Sequence, residues 1–275
     1  MLENQALRDR WDDPSLNLDW LNDAAPVSCN PMSTGVKSGE YYPTIGIFKC
    51  PSDNNNTEAN GSNSYVANCG FYPSLSSSLL TELGYPATPG GISIQSQRAP
   101  NGIFTNKAGA AGNPGNNNTF GFNPGKVKAA SVRDGLSQTL VFSESMQADA
   151  WTYVSGSVAS GGVFDDSTRI RLGMVWLYRL DDPTKTTRTS TPAGQVKVPN
   201  KINGDKLSTK VGDFEYARPS SNHPGTVVAA MLDGSTKSID EKIEYHVYQA
   251  LMTPQTRQSD VPYHLYLLKE DDYLQ

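Results

Sequence analysis

The sequence predicts an α+β protein in which β-strands dominate, built on an antiparallel sheet with small helices and long loops. The first observation is composition. Of 275 residues, 24 are glycine, 18 are proline and only 37% are hydrophobic, which suits a loop-rich β protein better than a helical bundle. The second observation is an apolar segment at residues 227–232 that ends in Asp-Gly. The third is a helix-like spacing of apolar residues directly after it.

The apolar segment is predicted to be a central strand. Residues 227–232 are apolar on both alternating faces, so we expect this strand to be buried inside the sheet. Asp233 and Gly234 follow at once, and this dipeptide accepts the positive φ values of a two-residue hairpin turn.

A second short strand and a helix complete this C-terminal unit. The strand is expected at residues 235–238, and the helix is expected to begin near Ile239. Ser238 and Glu241 have the spacing of a capping box, which marks a helix start. Pro254 ends the helical pattern.

The remaining elements are predicted along a single domain that spans residues 1–275. A short amphipathic helix is expected near the N-terminus, at residues 2–11. Further strands are expected at residues 42–50, 64–70, 103–104, 139–143, 174–180 and 261–268. Two loop-rich insertions, about residues 71–125 and 147–213, separate some of these strands.

Charge and motif content exclude several functions. A net charge of -5 and a pI near 5.2 argue against a surface for nucleic acid or for an anionic membrane. The sequence has no H-E-x-x-H, C-x-x-C, G-x-S-x-G or phosphate-binding glycine motif. Its three histidines and three cysteines are scattered, so no tetrahedral zinc site is predicted. No residue is assigned a catalytic role.

Four short motifs occur along the chain. They are Phe-Lys-Cys-Pro-Ser-Asp, then Ser-Tyr-Val-Ala-Asn-Cys-Gly, then Asp-Gly-Leu-Ser, which runs on to an acidic strand end, and last a histidine followed after nine residues by Asp-Gly. The residues that we single out from them are Cys50, Pro51, Ser52, Asp53, Asp134, Gly135, His223, Asp233 and Gly234.

These motifs resemble those of a large family of planctomycete-type proteins that carry a prepilin-like N-terminal helix and a central domain of unknown function 1559. The resemblance implies a pilin-like headgroup and a location outside the cytoplasm. It implies a structural subunit of a pilus or of a type II secretion-like pseudopilus, and no enzyme. Its partners would be further copies of the chain and other pilin or secretion components. The alternative is an extracytoplasmic module that binds a glycan or a solute through the two loop-rich insertions.

The opening of the chain resembles a later part of these proteins. Residues 1–7 are similar to a stretch that lies downstream of the family's apolar helix. We therefore expect the native protein to begin before Met1, with filament assembly and any membrane contact carried by that upstream helix. The alternative is a divergent cytoplasmic protein that begins at Met1.

His223 and Asp233 are interpreted as structural residues. Ten residues of extended strand span roughly 33 Å, so the two side chains should lie at opposite ends of the strand and share no ion. Asp233 is expected to bond to backbone N–H groups of its turn, and His223 to fix the loop that enters the strand. A ligand role for His223 alone is the alternative.

The three cysteines are Cys29, Cys50 and Cys69. In the extracytoplasmic setting that the resemblance implies, two of them are expected to pair, with Cys50–Cys69 the first choice. Cys29 would then be a thiol or the partner of a cysteine upstream of Met1. The alternative is three reduced thiols in a cytoplasmic protein.

Calcium is the only cofactor that the sequence suggests. Asp53 and Asn55 place oxygen atoms at alternate positions, as calcium loops do, and Asp165 with Asp166 is a second acidic site of this kind. Neither stretch has the glycine and the distant glutamate of an EF-hand.

Overall fold

A computed structural model describes residues 45–53, 62–71, 98–104, 127–148, 173–177, 202–204 and 216–274. Within these residues, five strands form one sheet and a single α-helix packs on it. In chain order the elements are β1 (Tyr65–Phe71), β2 (Leu140–Glu144), β3 (Gly173–Trp176), β4 (Thr226–Met231), β5 (Thr236–Asp240) and α1 (Tyr245–Met252). The fold is therefore α+β with strands dominating, as the sequence predicts.

The sheet is mixed, so the prediction of an antiparallel sheet is wrong in one place. The strand order is β3-β1-β2-β4-β5. The β1–β2, β2–β4 and β4–β5 pairs are antiparallel, whereas β1 and β3 run parallel. A parallel pair needs a crossover of a dozen or more residues, and the chain between Phe71 and Gly173 is far longer than that.

The core lies between α1 and one face of the sheet. Trp176 of β3 is fully buried and stacks on Phe71 of β1, with ring centroids 4.4 Å apart. Its indole N–H donates to the carbonyl oxygen of Asn101 at 2.8 Å. The same core takes in Leu140, Met174, Val227, Ala229, Met231, Ile239, Leu251 and Met252.

Strand β4 is buried on one face only, which corrects the prediction of a strand buried on both. Val227, Ala229 and Met231 point into the core. Val228, on the other face, is 37% exposed, and Phe142 of the neighbouring strand is 44% exposed. Among the described residues, therefore, one face of the sheet carries the core and the other is open in part to solvent.

The hairpin between β4 and β5 has three loop residues where two were predicted. The amide of Met231 donates to the Ser235 carbonyl at 2.8 Å, and the amide of Gly234 donates to the Met231 carbonyl at 3.0 Å. Gly234 has φ +87°. The glycine thus supplies the left-handed residue of a three-residue hairpin loop with a bulge.

Helix α1 begins later than its periodicity predicts. Ile239 lies in β5, where it pairs with Val227 and is fully buried. The capping box of Ser238 and Glu241 is therefore not used, and the helix starts at Tyr245 with no side-chain cap from Glu244. Its end at Met252, before Pro254, agrees with the sequence.

The other predicted elements have mixed outcomes. The strands expected at residues 64–70 and 139–143 are confirmed as β1 and β2. The start of the strand expected at residues 174–180 is confirmed as β3. The strand expected at 42–50 is wrong where it is described, because Gly46–Phe48 forms a 3-10 helix. Residues 261–268 contain a turn at 262–265 and no strand, and residues 103–104 form no strand. The helix expected at residues 2–11 lies outside the described residues, as does most of both insertions. No helix in the described part of the chain is both long and apolar enough to cross a bilayer.

Candidate functional site

Residues from three of the motifs meet where β2 ends and β4 begins. His223 Nε2 lies 3.2 Å from Glu144 Oε1 and 3.6 Å from Cys50 Sγ. One ligand atom from each of the three side chains lies within 4.8 Å of the other two. We call these three residues the Cys-Glu-His cluster.

The segment that carries Cys50 is fastened to the start of β1. The amide of Ser64 donates to the Phe48 carbonyl at 2.8 Å. The Ser64 hydroxyl donates to Asp53 Oδ2 at 2.8 Å, across the turn that contains Pro51. The first two motifs therefore hold each other, and they place the Cys50 thiol beside β2.

Glu144 is positioned by the backbone of β4. Its Oε2 accepts a hydrogen bond from the Val228 amide at 3.0 Å, and its side chain is only 5% exposed. Its backbone carbonyl accepts from the Ser220 amide at 2.9 Å. One carboxylate oxygen is thus used to hold the sheet, which leaves Oε1 facing His223.

The loop before β4 is held by polar side chains on both sides. The His223 amide donates to the Ser221 hydroxyl at 3.1 Å, and Asn222 Nδ2 donates to the Ser52 carbonyl at 2.7 Å. The Ser221 amide in turn donates to Asn203 Oδ1 at 2.7 Å. The imidazole is therefore directed at the cluster by contacts at three neighbouring positions.

A fourth polar atom reaches the same point. Ser52 Oγ lies 3.3 Å from His223 Nε2 and 3.0 Å from Cys50 Sγ. One imidazole nitrogen therefore faces an oxygen of Glu144, the sulfur of Cys50 and the hydroxyl of Ser52. A single N–H can serve only one of them at a time.

Burial and negative charge set the electrostatics of the cluster. Burial is the largest effect on the Cys50 thiol and raises its pKa, and Glu144 adds to the rise, while Ser52 opposes it. Burial also raises the pKa of the nearby Tyr65 hydroxyl, with further contributions from Cys50 and Glu144. Without a bound cation, the cluster therefore favours a protonated thiol beside the carboxylate.

The geometry does not match a Cys-His-acid relay. In such a relay the acid orients one ring nitrogen while the other nitrogen serves the nucleophile. Here Glu144 and Cys50 both approach Nε2 of His223. Nitrogen, oxygen and sulfur donors that converge on one point are instead the donor set of a metal site.

Local sequence patterns do not reveal this cluster, because its members are far apart along the chain. Cys50 and His223 are separated by 173 residues, and Glu144 and His223 by 79. The available signal was that Cys50 and His223 both belong to motifs and that the third motif runs on to Glu144. The pairing of β2 with β4 brings Glu144 and His223 together, and the pairing of β1 with β2 brings the segment of Cys50 beside them.

The Asp134-Gly135 motif lies at the opposite end of β2 from the cluster. Asp134 Oδ2 accepts from the Thr256 amide at 2.6 Å and from the Thr256 hydroxyl at 2.7 Å. Gly135 has φ +105°, in the region that favours glycine. This motif ties the entry of β2 to the chain that follows α1.

Asp233 lies at the far end of β4 from His223, as the length of the strand predicts. Its Oδ1 accepts from the Ser235 amide at 2.8 Å and from the Ser235 hydroxyl at 2.6 Å. These hydrogen bonds lower the pKa of the Asp233 carboxyl. Its position is that of a turn residue, and it does not join the cluster.

The disulfide expected between Cys50 and Cys69 is not formed: both residues are thiols. Phe48, two residues before Cys50, accepts a hydrogen bond from the Ser64 amide, whereas Cys69 lies five residues beyond Ser64, which is about 16 Å of extended strand. A disulfide needs Cα atoms within about 7 Å. Cys69 packs instead beside Val175 and Leu177, and burial raises its pKa to about 11. Cys29 lies outside the described residues.

Of the calcium candidates, only Asp53 is described. Its carboxylate accepts a hydrogen bond from the Ser64 hydroxyl and so links the first two motifs. Asn55, Asp165 and Asp166 lie outside the described residues.

Comparison with known proteins identifies a family. The sequence profile of the family described as "Protein of unknown function (DUF1559)" matches residues 1–246 of the 275. Comparisons with curated proteins and with solved structures give no match. The matched region includes all four motifs and the whole Cys-Glu-His cluster. The chain therefore belongs to the DUF1559 family.

Proposed function

We propose that the chain is the headgroup of a pilin- or pseudopilin-like subunit that lies outside the cytoplasm and contributes structure to a filament. The observation that carries this proposal is how the motif residues are used. Glu144, Asp134 and Asp233 each accept a hydrogen bond from a backbone amide of another segment or of their own turn. Carboxylates that accept hydrogen bonds from backbone amides stabilise the fold, and we call the sheet that they hold together the scaffold.

The scaffold suits a subunit that must keep its shape while other surfaces make contacts. The motifs fix both ends of β2 and both ends of β4, which are central strands of the sheet. The proposal therefore assigns a structural role to the chain and no catalysis.

The open face of the sheet is the surface that we assign to lateral contacts. Phe104 and Phe142 lie there with ring centroids 5.4 Å apart, beside the half-exposed Val228. Exposed aromatic and aliphatic side chains that lie together mark contact surfaces more often than single exposed residues do. The apolar helix implied by the family resemblance would supply most of the burial that holds subunits together.

Crosslinking in cells tests this assignment. A photo-crosslinking amino acid at Phe142 of the full-length protein should give a ladder of crosslinked copies in cells that make filaments. The same amino acid at the exposed His264 serves as the control and should give a weaker ladder. Crosslinks from both positions only to unrelated proteins would contradict the proposal. Tight retention of the chain on a polysaccharide resin, with no ladder, would favour the glycan-binding alternative.

A further inference from the structure

The Cys-Glu-His cluster contains the three kinds of donor atom that bind zinc in proteins. These are a cysteine sulfur, a histidine nitrogen and a carboxylate oxygen, here Cys50 Sγ, His223 Nε2 and Glu144 Oε1. The three side chains come from three separate segments, and each segment is anchored by its own hydrogen bonds. The arrangement is therefore built by the fold and does not depend on a mobile tail.

The two distances from His223 Nε2 agree with edges of a zinc tetrahedron, and the Cys50 and Glu144 ligand atoms lie within 4.8 Å of each other. Zinc binds histidine nitrogen at about 2.0–2.1 Å, carboxylate oxygen at about 2.0–2.2 Å and cysteine sulfur at about 2.3 Å. At a tetrahedral angle these bonds place nitrogen and sulfur about 3.6 Å apart, and nitrogen and oxygen about 3.4 Å apart. The observed distances from His223 Nε2 are 3.6 Å to Cys50 Sγ and 3.2 Å to Glu144 Oε1.

Charge balance favours a divalent ion. A Cys50 thiolate and a Glu144 carboxylate carry two negative charges, and a neutral His223 adds none. Cys50 is 6% exposed and the side chain of Glu144 is 5% exposed. Two buried anions side by side are unfavourable unless a cation lies between them. A bound divalent cation would take the thiol proton's place, and that proton would pass to solvent.

The same donors select among metals. Thiolate and imidazole ligands favour zinc over calcium and magnesium, which prefer sites made of oxygen alone. The site therefore differs in chemistry from the calcium loops that the sequence suggested.

The surroundings hold the donors in place and leave one side open. The Val228 amide holds the second oxygen of Glu144, and the Ser52 hydroxyl lies 3.0 Å from the Cys50 sulfur, where it can donate to a thiolate. The side chain of His223 is 38% exposed, so an ion and a water molecule can reach the cluster from solvent. Three protein ligands then leave the fourth position to water.

We propose that Cys50, Glu144 and His223 form a binding site for one zinc ion per chain. The inference rests on the geometry of the cluster, and it does not require the filament role proposed above.

Titration of the metal-free protein tests the site. Residues 1–275, stripped with a chelator, are titrated with zinc against a chromogenic competitor, and in parallel with cobalt(II). We expect one ion per chain and, with cobalt, a thiolate-to-metal charge-transfer absorption. Absence of that absorption in the unsubstituted chain would overturn the proposal.

Substitutions identify which residues hold the ion. We expect C50S, E144Q and H223Q each to weaken zinc binding by at least about 100-fold, and C50S to abolish the charge-transfer absorption. The matched controls are C69A and C29S for cysteine and H264Q for histidine, and these should bind zinc as the unsubstituted chain does. Loss of the cobalt absorption in C29S or C69A, with C50S unaffected, would place the ion elsewhere and overturn the assignment.

A stability measurement covers the case in which E144Q fails to fold, since Glu144 also holds β4. His223 is half-exposed, so H223Q should keep its fold, which circular dichroism checks. Zinc should raise the melting temperature of the unsubstituted chain and of H264Q, and leave that of H223Q unchanged. An equal rise in H223Q would contradict the proposal.

Discussion

Gly234 shows how a single residue fixes a motif. It has φ +87° in the loop between β4 and β5, and a Cβ atom added there would meet no atom within 4 Å. The backbone conformation alone therefore requires glycine, and packing does not. We expect Gly234→Val to lower the free energy of unfolding by about 1–3 kcal/mol, because a β-branched residue resists positive φ.

Thermal denaturation followed by circular dichroism measures this effect. Gly234→Asn is the matched control, because asparagine tolerates the left-handed region better than valine and should lose less stability. A Gly234→Val protein that melts within about a degree of the unsubstituted chain would show that the loop is assigned wrongly.

Asp134 is a second residue whose role is local and testable. Its carboxylate accepts from both the amide and the hydroxyl of Thr256, at 2.6 and 2.7 Å. Asp134→Ala leaves both donors without this partner, so we expect a loss of about 1–3 kcal/mol in urea denaturation. Asp233→Ala, which removes a similar pair of bonds in a fully exposed turn, should cost less. Equal losses for the two variants would contradict the role given to Asp134.

Burial also affects the reactivity of the Cys50 and Cys69 thiols. Burial raises the pKa of Cys50 and takes that of Cys69 to about 11, so burial disfavours the thiolate form of both residues. Because the thiolate is the reactive form, we expect both to react slowly with iodoacetamide in the metal-free native protein and quickly after denaturation. Peptide mapping without reductant should find no Cys50–Cys69 disulfide. A bridged peptide would contradict the structure at this point.

At the scale of elements, the end of β1 depends on a close contact between two backbones. Gly70 has φ +77°, and an added Cβ would lie 2.7 Å from the Asn101 carbonyl oxygen and 2.9 Å from Gly102 Cα. Gly70→Ala therefore combines backbone strain with a clash that no side chain can relieve. We expect it to lower the free energy of unfolding by more than about 2 kcal/mol in urea denaturation.

Gly46 is the matched control for that substitution. It lies in the 3-10 helix Gly46–Phe48, and an added Cβ meets nothing within 4 Å. Gly46→Ala should change stability by no more than about 0.5 kcal/mol. If Gly70→Ala were as mild as Gly46→Ala, the contact between β1 and the Asn101–Gly102 segment would be wrong.

The sequence predicts correctly those strands for which the apolar pattern and the flanking turn residues indicate the same element. β1, β2 and β4 fall within one or two residues of their predicted positions. The helical spacing of Ile239 and Ile243 predicts that the helix begins at Ile239, but the pairing of Ile239 with Val227 places it in β5. Residues 42–50 alternate like a strand, but a 3-10 turn at Gly46–Phe48 satisfies their backbone locally.

The Cys-Glu-His cluster was beyond sequence reasoning for a different reason. Each member has an ordinary local role: Cys50 follows a turn, Glu144 ends a strand and His223 enters one. Their convergence depends on two strand registers: Ser143 of β2 lies opposite Ala229 of β4, and Glu144 of β2 lies opposite Tyr65 of β1. Local sequence patterns carry no information about strand register. The motifs therefore single out Cys50 and His223 but do not indicate that the two side chains lie in contact.

At the scale of the whole molecule, composition predicts the behaviour of the chain in solution. A net charge of -5 and 37% hydrophobic residues give little drive for a stable apolar interface. We expect residues 1–275 alone to be a monomer or a weak oligomer by light scattering across a range of concentrations. Regular filaments formed by these residues unaided would show that residues 1–275 themselves carry the assembly contacts.

We propose that the chain is a headgroup in an extracytoplasmic filament, and immunogold electron microscopy of cells that make the native protein can decide this. The antibody is raised against residues 1–275, and cells that lack the gene serve as the control. We expect gold particles spaced along filaments outside the cytoplasmic membrane, and no such labelling in the control. Gold confined to the cytoplasm, or filaments that persist unlabelled, would contradict it.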